Sequence, residues 1–170
     1  MSIDIEKFSV LTLLYTSKRA IKRTSLNKLL FFSDVFHLIQ YNQVITAAKY
    51  YKMPYGPVPE YIDEVRRFLI EKNFLTEEET VEYSNFVYNY RSTLDANQYR
   101  FFIDNFFDEK ERETIKLVSC NLIHWNASDL SRKSHEFEPW KSANWNEELD
   151  LTKCQNDNKL LEWANTIIKQ

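Results

Sequence analysis

The chain of 170 residues contains one glycine where average usage would supply about a dozen, and that shortage removes whole classes of site. The dinucleotide fingerprint G-x-G-x-x-G, the phosphate-binding Walker A loop and the G-x-S-x-G nucleophile elbow all need more than one glycine, so none can be present. Cysteine is scarce too. Cys120 and Cys154 stand apart, without metal-like or redox-like spacing, and read as free thiols of a reducing cytosol. Histidine is limited to His37, His124 and His135, and the second histidine of an H-E-x-x-H motif starting at His135 would fall on Pro139. Neither a structural nor a catalytic zinc is expected, and no other cofactor. Long apolar runs are missing as well. The stretch "MSIDIEKFSVLTLLYTSKR" has early acids and an apolar segment too short and too interrupted for a signal peptide or a membrane span, so a cytoplasmic protein with no membrane contact is expected. No linker rich in glycine, serine or proline divides the chain, and no internal repeat or low-complexity tract is found.

What is present is core material: 44% hydrophobic residues, with 4 Trp, 10 Tyr and 12 Phe, enough for one compact domain. The single glycine and three of the four prolines fall together in "KMPYGPVPEY". Pro57 fixes its own φ and pushes Gly56 out of the α region, so Gly56 lies outside any helix. A glycine at such a place implies a positive φ or a close approach that excludes a Cβ. The preceding "VITAAKYYKM" is rich in β-branched and aromatic residues and reads as extended. The following "PEYIDEVRRFLIEKN" carries acids early and bases late, matching a helix dipole, with Asn73 as a C-terminal cap. The junction is stiff and holds Tyr55 out as a candidate anchor.

Periodicity elsewhere is mostly helical. A first helix is expected over about Ile5 to Lys18, and a second from Thr24 or Ser25 to about Tyr41, apolar nearly all round and therefore buried. After the third helix, "FLTEEETVEYSNFVYNYRSTL" reads as one or two strands in hairpin form. Helices return in "DANQYRFFIDNFF" and "DEKERETIKLVSCNLIHW". Ser128 is expected to cap a short helix "DLSRKSHE", the segment Ser142 to Asn158 to be irregular, and "NKLLEWANTIIKQ" to close the chain as an amphipathic helix. The fold class is α+β, mainly α-helical: a single compact helical domain with a small β element after the third helix.

Charge is divided unevenly. Residues 1–73 hold 11 Lys and Arg against 7 Asp and Glu, net +4, and residues 74–170 hold 11 against 18, net −7. Helix, "KRAIKR", helix and strands resemble a winged helix-turn-helix in outline. Against nucleic acid stand the pI of about 5.7 and the absence of a basic stripe interleaved with aromatics. Two constellations could carry chemistry. Asp34 and His37 lie three residues apart in the apolar second helix, either as an acid/base pair or as a mutually satisfied buried pair that fixes packing. The second is "SHEFEPW", with His135, Glu136 and Trp140. If the two meet in space, His135 or Trp140 would supply a donor to Asp34.

These blocks carry a family resemblance. "LNKLLFFSDVFHLIQYNQVITAAKYYKMPYGPVPEYIDEV" resembles the N-terminal block of the SocA-like, Panacea-domain family through Lys28, Leu29, Leu30, Phe31, Asp34, His37, Tyr41, Ile45, Thr46, Tyr50, Gly56, Pro57 and Val58. Ser134, His135, Glu136, Pro139, Trp140 and Lys141 resemble its late motif, and the likeness extends over about Ile5 to Ala143. Asn42 and Ala47 stand where members often have glycine. Asn42 tolerates a left-handed turn, and Ala47 suggests a somewhat different one. On this resemblance residues 1–143 form the domain, and residues 144–170 are a C-terminal extension whose short helix docks on it.

The resemblance implies an antitoxin, not an enzyme, that neutralises a cognate small protein toxin by direct binding, and for some members it implies delivery of the toxin to a cytoplasmic protease. Trp145, Trp163 and Tyr55 are expected to be exposed aromatic material for that purpose. The residues alone leave two alternatives open. One is a DNA-binding, winged-helix-like autoregulator of its operon. The other is a hydrolase using Asp34, His37 and His135.

Overall fold

A computed structural model describes residues 2–168. Helix α1, Ile5–Ser17, starts where the Asp4 carboxylate accepts from the Lys7 backbone N–H. It ends at Ser17 with Lys18 as its C-cap, close to the expected bound, and no base lies in its last turn. Ile21–Lys22 forms the short strand β1, and α2, Arg23–Tyr41, follows without a turn. The helix therefore begins slightly before Thr24. Every residue of α2 from Ser25 to His37 is buried, as its apolar circumference requires. It ends at Asn42, whose φ of 57° closes a left-handed cap with its N–H on the Leu38 carbonyl.

Strands β2, Tyr50–Met53, and β3, Gly56–Pro59, pair antiparallel around a turn at Pro54 and Tyr55. Helix α3, Ile62–Glu71, comes next, and Asn73 adopts φ 62° just beyond it. Then β4, Leu75–Glu82, and β5, Asn85–Ser92, form the expected hairpin. Its tip places Tyr83 and Ser84 at positive φ, the geometry of a tight two-residue hairpin turn without its usual glycine. Strand β1 joins the far side of β5, so the antiparallel sheet runs β1-β5-β4. The order α1-β1-α2-α3-β4-β5 with this sheet resembles a winged helix-turn-helix in outline, with the β2–β3 hairpin inserted between α2 and α3.

Helices α4, Ala96–Phe106, and α5, Glu109–Leu122, are opened by full capping boxes at Asp95 and Asp108. Helix α6, Ala127–His135, is capped by Asn126 and not by Ser128, because the Asn126 side chain accepts the Asp129 N–H. Helix α7, Glu138–Ser142, follows, and the segment expected to be irregular contains a 3-10 turn at Leu151–Asn156 before α8, Asn158–Ile168. The C-terminal segment lies along the free edge of β2. Lys52 N–H donates to Glu147 O at 2.9 Å, Asn146 N–H to Lys52 O at 3.0 Å, and Leu149 N–H to Tyr50 O at 2.7 Å.

The core centres on α2. Phe31 meets Tyr50 edge-on, and Phe32 and Phe36 meet the Trp163 ring, which also stacks on Phe137. Trp163 is thus half-buried packing and not the exposed material expected of it. No helix among the described residues is long and apolar enough to cross a membrane.

Candidate functional site

The two sequence blocks meet at Gly56. Its φ is +97°, and a Cβ there would lie 2.6 Å from Lys28 Cε and 2.7 Å from Ser134 Oγ. Both reasons for a glycine hold at once. The hairpin tip is seated on α6: Ser131 Oγ donates to the Tyr55 carbonyl at 2.8 Å, and Ser134 Oγ donates to the Ser131 carbonyl at 2.8 Å. From below, Lys28 Nζ, completely buried, donates to the Pro57 carbonyl at 3.2 Å. The turn is therefore fixed by α2 on one side and α6 on the other. Its side chain at Tyr55 points outward and stays 74% exposed.

Beside the hairpin, His135 and Trp140 stack face to face with ring centroids 3.9 Å apart and planes at 17°. Lys52 reaches across from β2. Its Nζ sits 4.0 Å from the centre of the Trp140 ring and 5.1 Å from that of Trp145, and donates to the Ala143 carbonyl at 2.9 Å. His135 Nε2 and Trp140 Nε1 are buried without hydrogen-bond partners. Burial, with the Lys28 and Lys52 charges adding to it, holds the His135 imidazole below its usual range. Burial likewise pulls the Lys28 ammonium down to about 7. Glu136 faces away from this cluster and pairs with Lys133 at 3.0 Å and Lys159 at 3.3 Å.

Asp34 belongs to a different environment. Oδ1 accepts the N–H groups of Ile45 at 2.7 Å and Thr46 at 2.8 Å, while Oδ2 accepts Thr46 Oγ1 at 2.5 Å and Tyr50 OH at 2.7 Å. Burial raises its pKa and the four donors oppose that rise. His37 pairs instead with Thr114 Oγ1 of α5, 2.9 Å from Nδ1. The expected Asp34–His37 pair is not formed, nor does His135 or Trp140 reach Asp34. On a helix, three residues are about 300° of rotation, so the two side chains leave α2 about 60° apart. One meets the loop after the helix and the other meets α5.

The side chains of the hydrolase reading therefore sit in separate surroundings, with every oxygen of Asp34 already engaged. Among the described residues no three His, Cys, Asp or Glu side chains converge as metal ligands. Cys120 is exposed and Cys154 buried, both free. Sequence reasoning missed Lys52, Ser131 and the buried amine of Lys28 as parts of this site. A signal existed for Lys52: it shares strand parity with the buried Tyr50, which turns it inward. Ser131 and Ser134 both give their hydroxyl protons to backbone carbonyls. What it offers is a rigid hairpin presenting one aromatic ring.

No curated protein and no solved structure matches the chain. Residues 26–141 match the family model described as "Antitoxin SocA-like, Panacea domain", a span that begins in α2, includes the Gly56 hairpin and ends just after Trp140. The chain belongs to the SocA-like, Panacea-domain antitoxin family.

Proposed function

We propose that the chain neutralises a cognate small protein toxin by binding it directly, with Tyr55 as an anchor of the interface. Family membership carries the reading. The exposed Tyr55 ring, on a turn held by Lys28 and Ser131, supports its second part, because a side chain presented on a prepaid backbone loses little entropy on binding. Delivery of the bound toxin to a protease would be a later step that this surface does not require. The decisive experiment co-expresses the chain with the small protein encoded beside it, and titrates the purified pair by calorimetry. Growth rescue with direct binding is expected. Tyr55→Ala should weaken that binding by about 1–3 kcal/mol and leave the melting curve nearly unchanged. Undiminished affinity would take Tyr55 out of the interface, and a large fall in melting temperature would reassign it to the core.

The winged-helix-like order favours operator binding as a second reading, but its charges do not. Residues 62–92, covering α3 and the wing, carry 7 Asp and Glu against 4 Lys and Arg. Arg66 is buried and engaged by Tyr90 and Asp63, so it is not available to phosphate. Operator DNA titrated at two salt concentrations tests this reading, since phosphate-driven binding must weaken steeply as salt rises.

A further inference from the structure

A groove of about 570 Å³ opens on the face of the molecule formed by α1, α3 and α4. Ile5 and Leu13 of α1, Val65 and Phe68 of α3, and Phe102 and Phe106 of α4 form its walls. Phe68 is 53% exposed and Ile5 45%, although both are large and apolar. Helix α4 adds a second sign of an uncovered surface: Phe102 and Phe106 face this groove, yet none of its residues is buried. Lone exposed apolar side chains are ordinary, but a contiguous set on three helices marks a docking surface.

The chemistry of the lining selects the occupant. Its charged members are Glu6 and Glu64, both acids, the second 4.0 Å from the exposed Arg67 guanidinium, and among the described residues no lysine or arginine lines it. The Ser9 hydroxyl is already given to the Ile5 carbonyl at 2.7 Å, so the converging polar groups that orient a small ligand are lacking. An open apolar trough with acids at its border fits an amphipathic helix whose apolar stripe fills the trough and whose flanks are basic.

We infer that this groove receives a basic amphipathic helix of a protein partner, a surface to which residues 50–59 of the Tyr55 hairpin contribute no lining; naming that partner as the toxin rests on the antitoxin reading, whereas the groove's chemistry does not. On a winged-helix-like framework, α3 would then present its outward side to protein and not to DNA.

A dye-labelled 18-residue peptide of leucine and lysine, patterned with a single apolar stripe, serves as probe in fluorescence anisotropy with the full chain. Wild type should bind it, Phe68→Ser should weaken binding at least tenfold, and Glu6→Gln with Glu64→Gln should weaken it and flatten its salt dependence. Val81→Thr, at an exposed position of β4 outside the groove, should bind as wild type does. Tyr61→Asn, at an exposed position of the same groove whose φ of 59° asparagine tolerates, gives a second variant should Phe68→Ser fold poorly. Equal binding by the groove variants, or by a matching leucine–glutamate peptide, overturns the inference. So does a wild-type dimer that Phe68→Ser converts to monomer, since the groove would then belong to a second copy. Failure of the neighbouring protein to be toxic or bound would defeat the antitoxin reading while leaving the peptide result standing.

Discussion

At Gly56 the backbone and its neighbours impose the same demand. A positive φ costs a substituted residue about 1–3 kcal/mol, and the new Cβ would also press on Lys28 and Ser134 inside a fully occupied space. Gly56→Val should therefore lower the melting temperature by several degrees or unfold the chain, and a variant of undiminished stability would refute the packing. Lys28 yields a prediction with a definite sign. The unfolded chain keeps the lysine proton up to about 10.5, whereas burial lets the folded chain keep it only up to about 7. Between those values the unfolded state binds the extra proton, so this residue makes stability rise with pH, by at most about 1.4 kcal/mol per pH unit. Below about 7 both states are protonated and its contribution is flat. Urea denaturation of wild type and Lys28→Met from pH 6 to 10 checks this. The difference between their stabilities should grow in favour of wild type as pH rises, and parallel curves would mean the amine is not desolvated. The need for glycine at position 56 was legible from Pro57 and from the rarity of the residue. That a lysine 28 positions earlier fills the space was not, because no local pattern reports a contact across two elements.

Elements repeat that division between local and distant causes. The helix starts at Asp95 and Asp108 are written into their own sequences as capping boxes, and the α2 period announces its burial. The β4–β5 hairpin was legible from its alternation, although Tyr83 and Ser84 take positive φ without being turn formers of the usual kind. Ala47 was read as departing from the left-handed turn, yet it has φ 53°, held by a loop that Asp34 gathers. What could not be read was where the polar side chains of α2 point. Asp34 ties Ile45, Thr46 and Tyr50 to the middle of the helix, which aims the chain into β2 and so sets the base of the Gly56 hairpin. Asp34→Ala would leave four buried donors without an acceptor, at about 1–3 kcal/mol for each that stays dry, so several kcal/mol should be lost. Asp34→Asn should cost distinctly less. Its carbonyl still accepts both backbone N–H groups, and its amide can donate to the two hydroxyls once they turn. Chemical denaturation of the two variants distinguishes this arrangement from simple packing, in which both would lose similar amounts.

On the scale of the whole molecule the question is whether residues 144–168 are an appendage. The family match ends at residue 141, and the sequence reading makes residues 144–170 an extension whose short helix docks on the same domain. The contacts argue for something more deeply shared. Leu149, Cys154, Leu160, Ala164 and Ile167 are buried, and Trp163 packs on Phe32, Phe36, Trp125 and Phe137. Residues 146–149 also satisfy the outer edge of β2. Burying a Leu or Ile side chain is worth about 1.5–3 kcal/mol, so Leu149, Leu160 and Ile167 with Trp163 together contribute on the order of 5–10 kcal/mol. The entire stability of a domain is typically about 5–15 kcal/mol. Truncation after Ala143 should therefore abolish cooperative unfolding while leaving much helix, with weakened near-ultraviolet dichroism and binding of a hydrophobic dye as the readout. The Gly56 hairpin should suffer first, since Lys52 would lose its backbone partners at Glu147 and Asn146, and with them the hold that places its ammonium over Trp140. A truncated chain that melts in one sharp transition near the wild-type temperature would make residues 144–168 separable from the domain. In that event α8 would be free to engage a partner, and Phe32 and Phe36 would need another cover.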